Sequence, residues 1–141
     1  GGTMITPHFG VSISDTETQK KTNIRYTSKK NVISKETSDV MKNVLETVVS
    51  EGGGKKAAIE GYKVGAKTGT SEKLPRRSGK YIASCMGFAP AQNPKVIALV
   101  LIDEPSGIYY GGTIAAPVIS KLLDDILPYV DGKEDYGYSG N

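Results

Sequence analysis

Residues Lys95 to Asp103 constrain the fold more than any other stretch. Between those charged ends, Val96, Ile97, Ala98, Leu99, Val100, Leu101 and Ile102 follow one another without a polar break. The run is far too short to span a bilayer. It suits an inner strand covered on both faces. Ala89-Pro90-Ala91-Gln92-Asn93-Pro94 just before it is turn chemistry, and Tyr81 to Phe88 before that is a second strand pattern. Glu72 to Lys80 is a polar loop with Pro75 and Gly79, and it follows a further strand pattern over 61–71. Strands joined by links this short pair antiparallel, because a parallel neighbour needs a crossover of about a dozen residues or more. The expected sheet is therefore an antiparallel meander of strands near 61–71, 81–89 and 95–103.

Helical spacing appears on both sides of this meander. Ser34 is placed to cap a helix with Glu36 in its first turn. Val40, Met41, Val44, Leu45, Val48 and Val49 then form an apolar stripe from about 35 to 50, read as core packing. Gly52-Gly53-Gly54 stops that helix. A second stripe over 115–130 carries Val118, Ile119, Leu122, Leu123, Ile126, Leu127 and Val130, with Pro117 suited to a first turn. Pro128 weakens the end of that helix. It is expected to pack on the sheet through Val118, Leu122 and Ile126. The fold class is α+β, an antiparallel sheet with packed helices. Near the start, Phe9, Val11 and Ile13 alternate, and so do Ile24 and Tyr26, which predicts a polar edge hairpin. Residues 131–141 read as a flexible polar tail.

Composition excludes several functions. The chain has 141 residues, 38% hydrophobic, which suits one domain or a large piece of one. A net charge of +3 with both signs interspersed gives no footprint for nucleic acid. Cys85 is the only cysteine, so no internal disulfide can form, and His8 is the only histidine. No metal-ligand spacing is present, so neither a metal nor a cofactor is expected. Gly1-Gly2-Thr3-Met4 begins with no charged region followed by an apolar one, and reads as an interior position of a longer protein.

The chemistry concentrates in Gly61-Tyr-Lys-Val-Gly-Ala-Lys-Thr-Gly-Thr-Ser-Glu72, centred on Lys67-Thr68-Gly69-Thr70. Tyr62 and Val64 alternate with Lys63 and Gly65 as a strand running into the centre. Gly69 stands where a strand should carry a side chain, and such a glycine often marks close approach by a ligand or another backbone. A lysine, two hydroxyls and an open strand edge can receive a peptide carboxylate. The same residues also suit an exposed polar edge strand that ends in a turn.

The wider pattern resembles a known family. Gly-Tyr-x-Val-x-x-Lys-Thr-Gly-Thr is followed by Gly87-Phe88-Ala89-Pro90, Asn93-Pro94-Lys95, an apolar strand, Tyr110-Gly111-Gly112 and Ala115-Ala116-Pro117. Earlier, Gly1-Gly2-x-Met4-x-x-Pro7-His8 fits the same series. Lys-Thr-Gly is a signature of serine β-lactamases and penicillin-binding proteins. Over residues 1–130 the order of motifs resembles the C-terminal portion of a class B penicillin-binding transpeptidase domain, nearest the sporulation branch (stage V sporulation protein D), with the cell-division branch next. One departure is Ala66, where the family usually has Gly.

That resemblance implies a partial penicillin-binding and serine β-lactamase-like fold. It implies a D-alanyl-D-alanine transpeptidase whose partners are the peptidoglycan stem peptide and β-lactams. The full-length protein would be membrane-anchored with this domain outside the cytoplasmic membrane, and this piece would be soluble. Lys67 would place positive charge at the reacting centre. Thr68 and Thr70 would hydrogen-bond the substrate carboxylate, the Thr70 N–H would form half of an oxyanion hole, and Gly69 would let the peptide lie against the strand. Tyr109 and Tyr110 could line the site or pack. The family's nucleophile is a serine with Lys three residues on, and no serine here has that spacing. Thr27 to Lys30 and Thr70 to Lys73 have it with threonine instead. The only Ser-x-Asn is Ser139-Gly140-Asn141, after Lys-Thr-Gly and out of family order. The nucleophile and general base are therefore expected from the rest of the same polypeptide. A non-catalytic penicillin-recognising sensor or scaffold and a serine β-lactamase remain as alternatives.

Overall fold

The computed structural model describes residues 1–132. Residues 133–141, which hold most of the expected tail and Ser139-Gly140-Asn141, lie outside the described residues. The chain divides into two compact units, the first Gly1–Val40 and the second from Met41 onward.

The first unit contains two small antiparallel pairs. Strand β1 (Met4–Ile5) pairs with β4 (Ser28–Lys29), and β2 (Ser12–Ser14) pairs with β3 (Lys21–Asn23). The β2–β3 pair is the expected hairpin, shorter than the alternation suggested. Asp15 builds its turn by accepting the backbone N–H groups of Glu17 and Thr18 at 2.9 and 3.1 Å, which holds its carboxyl below the usual range. His8 stacks on Tyr26 with ring centroids 3.7 Å apart. Phe9, Val11 and Ile13 are exposed.

Helix α1 (Lys35–Ser50) starts as its cap predicts, with the Thr37 N–H donating to Ser34 Oγ at 3.1 Å. Its stripe is only partly core. Val49 is buried, but Val40, Met41 and Val44 are exposed. The expectation of a wholly packed stripe is corrected: its apolar side chains at 40, 41 and 44 stay exposed, although Ser38 is half-buried beside Gly1 and Lys42 donates to the Gln92 carbonyl at 3.1 Å.

The second unit is built on one sheet of order β5-β6-β7, from β5 (Gly65–Glu72), β6 (Tyr81–Ala89) and β7 (Val96–Asp103). Both pairings are antiparallel, with Thr68 opposite Cys85 and Cys85 opposite Val100. The meander is therefore as expected. Strand β5 begins at Gly65 rather than at residue 61. Gly61 takes a positive φ of 78°, and Tyr62 forms only an isolated bridge with Ile59.

Directly opposed residues share a sheet face. One face therefore carries the rows Ala66–Gly87–Ala98, Thr68–Cys85–Val100 and Thr70–Ala83–Ile102. A short helix α2 (Gly111–Ile114) and the helix α3 (Ala116–Val130) pack on this face. A Cβ at Gly87 would stand 2.4 Å from Ile119 Cγ2, so glycine there is what lets α3 come so close. The helix buries Ile119, Leu123 and Leu127, while Val118 and Leu122 are exposed. The expected contact through Val118, Leu122 and Ile126 is thus wrong by one residue. Pro128 does not end α3, which continues to Val130. Beyond it, the Asp131 carboxylate accepts from Tyr62 Oη at 2.9 Å and pairs with Lys95 at 2.8 Å.

The other face carries Ile97, Leu99 and Leu101, which are 67%, 62% and 62% exposed. Strand β7 lies at one edge of the sheet, with one face against α3 and the other open. This corrects the expectation of an inner strand covered on both sides. An unbroken apolar run does predict burial on both faces, but among the described residues only one face has a partner.

Candidate active site

Lys67-Thr68-Gly69-Thr70 occupies the middle of β5, at the sheet edge opposite β7. The strand sends its functional side chains to different faces. Thr68 and Thr70 point to the α2–α3 side, opposite Cys85 and Ala83, and Lys67 and Gly69 point to the open side, opposite Met86 and Ser84. The structure therefore brings the two threonines together and holds the lysine on the far face. Lys67 is exposed. Its ammonium donates to the carbonyl of Thr68 at 2.6 Å, a backbone contact that leaves further protons for a ligand. Gly69 makes way for the Ser84 side chain opposite it: a Cβ there would meet Ser84 Oγ at 2.6 Å.

Thr70 is exposed, and its Oγ1 accepts the backbone N–H of Gly111 at 3.2 Å. Thr68 is half-buried, with its methyl towards Gly112. Beneath it, Cys85 is fully buried. Burial pushes its thiol up, and the charge of Lys67 pulls it partly back. A raised, buried thiol is not a nucleophile at neutral pH.

Tyr109 and Tyr110 lie beside the Thr70 end of the strand. Tyr109 stacks on Tyr81 with centroids 4.1 Å apart and planes 9° apart, and Tyr110 tilts against Tyr109 at 4.7 Å. The hydrogen bond and charge of Tyr110, and then the charge of Tyr81, push the Tyr109 phenol up. Packing is therefore the role visible for Tyr109, while Tyr110 is 57% exposed. Past the strand ends, Lys73 bridges Asp103 and Glu104 at 2.9 and 2.7 Å. Lys80 reaches Glu104 at 3.0 Å. Hydrogen bonds from Lys73 and then Lys80 hold the Glu104 carboxyl below its usual range.

Two participants at this site were not singled out by the motif. Gly111 and Ser84 both lie within reach of the strand, Gly111 through its amide. Tyr110-Gly111-Gly112 was a recognisable series, but nothing in it announced a bond to Thr70. Among the described residues no group of three or more His, Cys, Asp or Glu side chains could hold a metal. No helix there is long and apolar enough to cross a membrane.

Comparison with known proteins identifies the family. The profile of the penicillin binding protein transpeptidase domain matches residues 1–124. Stage V sporulation protein D of Bacillus subtilis is 44% identical over 135 residues, covering 91% of this chain and 21% of that protein. Peptidoglycan D,D-transpeptidase FtsI of Escherichia coli is 45% identical over 90 residues, covering 60% of this chain and 15% of that protein. Among solved structures, the D,D-transpeptidase domain of a peptidoglycan glycosyltransferase from Eggerthella lenta superposes with a TM-score of 0.72 at 27% identity, covering 94% of this chain and 30% of that one. The transpeptidase domain of penicillin-binding protein 3 from Burkholderia pseudomallei gives 0.64 at 35% identity, covering 84% of this chain and 35% of that one. The chain thus spans only 21% and 15% of the length of these curated relatives, and about a third of the solved domains, 30% and 35%. The profile takes in most of the chain, and the relatives are alike in kind: the chain belongs to the penicillin-binding protein transpeptidase family, class B.

Proposed function

We propose that this chain supplies the substrate-binding strand of a D-alanyl-D-alanine transpeptidase that cross-links peptidoglycan stem peptides by serine acyl transfer and is acylated by β-lactams. The observation that carries the reading is β5 itself. It sets a lysine, a glycine and two threonine hydroxyls along a sheet edge, inside a chain matched by the family profile. Relatives named as D,D-transpeptidases support transfer to an amine over hydrolysis, and the sporulation protein supports a sporulation role.

In this reading the stem peptide lies along the edge of β5, past Gly69, as an added strand. Thr70 and Thr68 hydroxyls donate to the terminal carboxylate. Lys67 lends its positive charge to the anionic end of the substrate and to the reacting centre. The Thr70 N–H is one donor of the oxyanion hole, aimed at the carbonyl oxygen that becomes negative in the tetrahedral intermediate. The serine that attacks, its activating lysine and the general base come from residues outside this chain. The full-length protein is membrane-anchored, with the domain on the outer side.

Fluorescent penicillin separates these roles. The full-length protein is expected to take one stable, boiling-resistant label, and this chain alone none, because no serine here has a lysine three residues on to activate it. A stoichiometric covalent label on the isolated chain would overturn the assignment and direct attention to Ser71 and Ser84.

A further inference from the structure

We propose that Gly111 is a positioning residue for Thr70. Its backbone N–H occupies one acceptor site of the Thr70 hydroxyl, so that the hydroxyl proton is left to donate to the substrate carboxylate. The proposal rests on the transpeptidase reading of β5 and adds a residue 41 positions away from the strand it serves.

A threonine hydroxyl is one donor and two acceptors on a free rotor. On an exposed strand edge it can turn its proton to water or to a neighbouring carbonyl as easily as to a ligand. A backbone N–H held against Oγ1 removes one of those freedoms, because the proton cannot point at a group that is itself donating. The bond from Gly111, 3.2 Å long, is such a restraint. The hydroxyl is then partly oriented before substrate arrives, and a preoriented polar group stabilises charge with less reorganisation.

Steric fit explains why residue 111 is glycine. A Cβ at this position would stand 2.2 Å from Ser84 O and 2.3 Å from Gly69 O. Both are backbone atoms of the paired strands β5 and β6, and neither can swing aside. Gly111 does not adopt the left-handed backbone, so the demand for glycine comes from space alone. The first residue of α2 is thus seated on the seam between the motif strand and its neighbour. Any side chain would lift it off that seam and carry the amide away from Thr70. Tyr110, which precedes it, tilts against Tyr109, which in turn stacks on Tyr81.

The test is a double-mutant cycle in the full-length protein, reading second-order acylation rates with benzylpenicillin. Gly111→Ala and Thr70→Val are each expected to slow acylation by about tenfold. Thr70→Ser keeps the oxygen and is expected to stay within about threefold of wild type. If Gly111 acts through the Thr70 hydroxyl, Gly111→Ala in the Thr70→Val background should slow the reaction by less than about threefold further. Equal slowing in both backgrounds, or no slowing by Gly111→Ala, overturns the proposal. Should Gly111→Ala fail to fold, amide hydrogen exchange decides: Thr70→Val must speed exchange of the Gly111 N–H while leaving β6 amides protected, and unchanged exchange at Gly111 overturns it. A wild-type protein that is not acylated defeats the reading of β5 and this proposal together. A wild type that acylates normally, with additive variants, defeats this proposal alone.

Discussion

Replacing Lys67 by Ala in the full-length protein is expected to slow β-lactam acylation by about a hundredfold, or roughly 3 kcal/mol of transition-state stabilisation, with little change in melting temperature. The two halves of that expectation have separate causes. Lys67 is exposed on the open face of β5 and donates to the carbonyl of its own neighbour, Thr68. Removing it opens no cavity and strands no buried partner, so stability should move little. Catalysis should respond because, in the proposed reading, the ammonium supplies charge where the substrate is anionic and where charge develops. Lys67→Arg keeps the charge but spreads it over a planar, bulkier head, and is expected to fall between the two. A surface lysine without a catalytic role would give the contrary pattern, with acylation by Lys67→Ala within about threefold of wild type, under roughly 1 kcal/mol.

The largest expected stability effect lies under the sheet. Leu123 is fully buried in α3 and its Cδ1 lies 3.5 Å from where a Gly87 Cβ would be. Leu123→Ala should cost about 2–5 kcal/mol, the lost transfer energy plus a cavity that a helix seated on a glycine cannot easily close. Leu122→Ala, one residue earlier and 39% exposed, should cost under about 1 kcal/mol. Equilibrium denaturation of the two variants compares them directly. The reverse order would mean that α3 sits on the sheet through Val118, Leu122 and Ile126.

That single-residue choice shows where sequence reading runs out. Residues 118, 119, 122, 123, 126 and 127 are all apolar, so they form two adjacent columns on one helix. A period of 3.6 finds the apolar side but not which column is central. The space at Gly87 decides it, and that contact is made only in three dimensions. The meander was legible because strand patterns with turn chemistry between them allow one pairing. The run from Val96 to Ile102 was legible as a strand, but not how many of its faces would be covered here. The motif strand could be read from Lys67 to Thr70 because their side chains are distinctive. Gly111 could not, since every residue but proline carries a backbone N–H and no residue type reports where it points. The alternation of Tyr62 and Val64 places the start of β5 too early, because Gly61, with its positive φ, turns the chain just before them.

The most direct measurement is a crystal structure of the full-length transpeptidase domain acylated by benzylpenicillin. The acyl carbonyl oxygen is expected about 2.7–3.1 Å from the Thr70 N–H, with the drug's carboxylate on the Thr68 and Thr70 hydroxyls and the Lys67 ammonium beside it. An acyl-enzyme whose carbonyl and carboxylate both lie away from β5 would contradict the assignment of this strand.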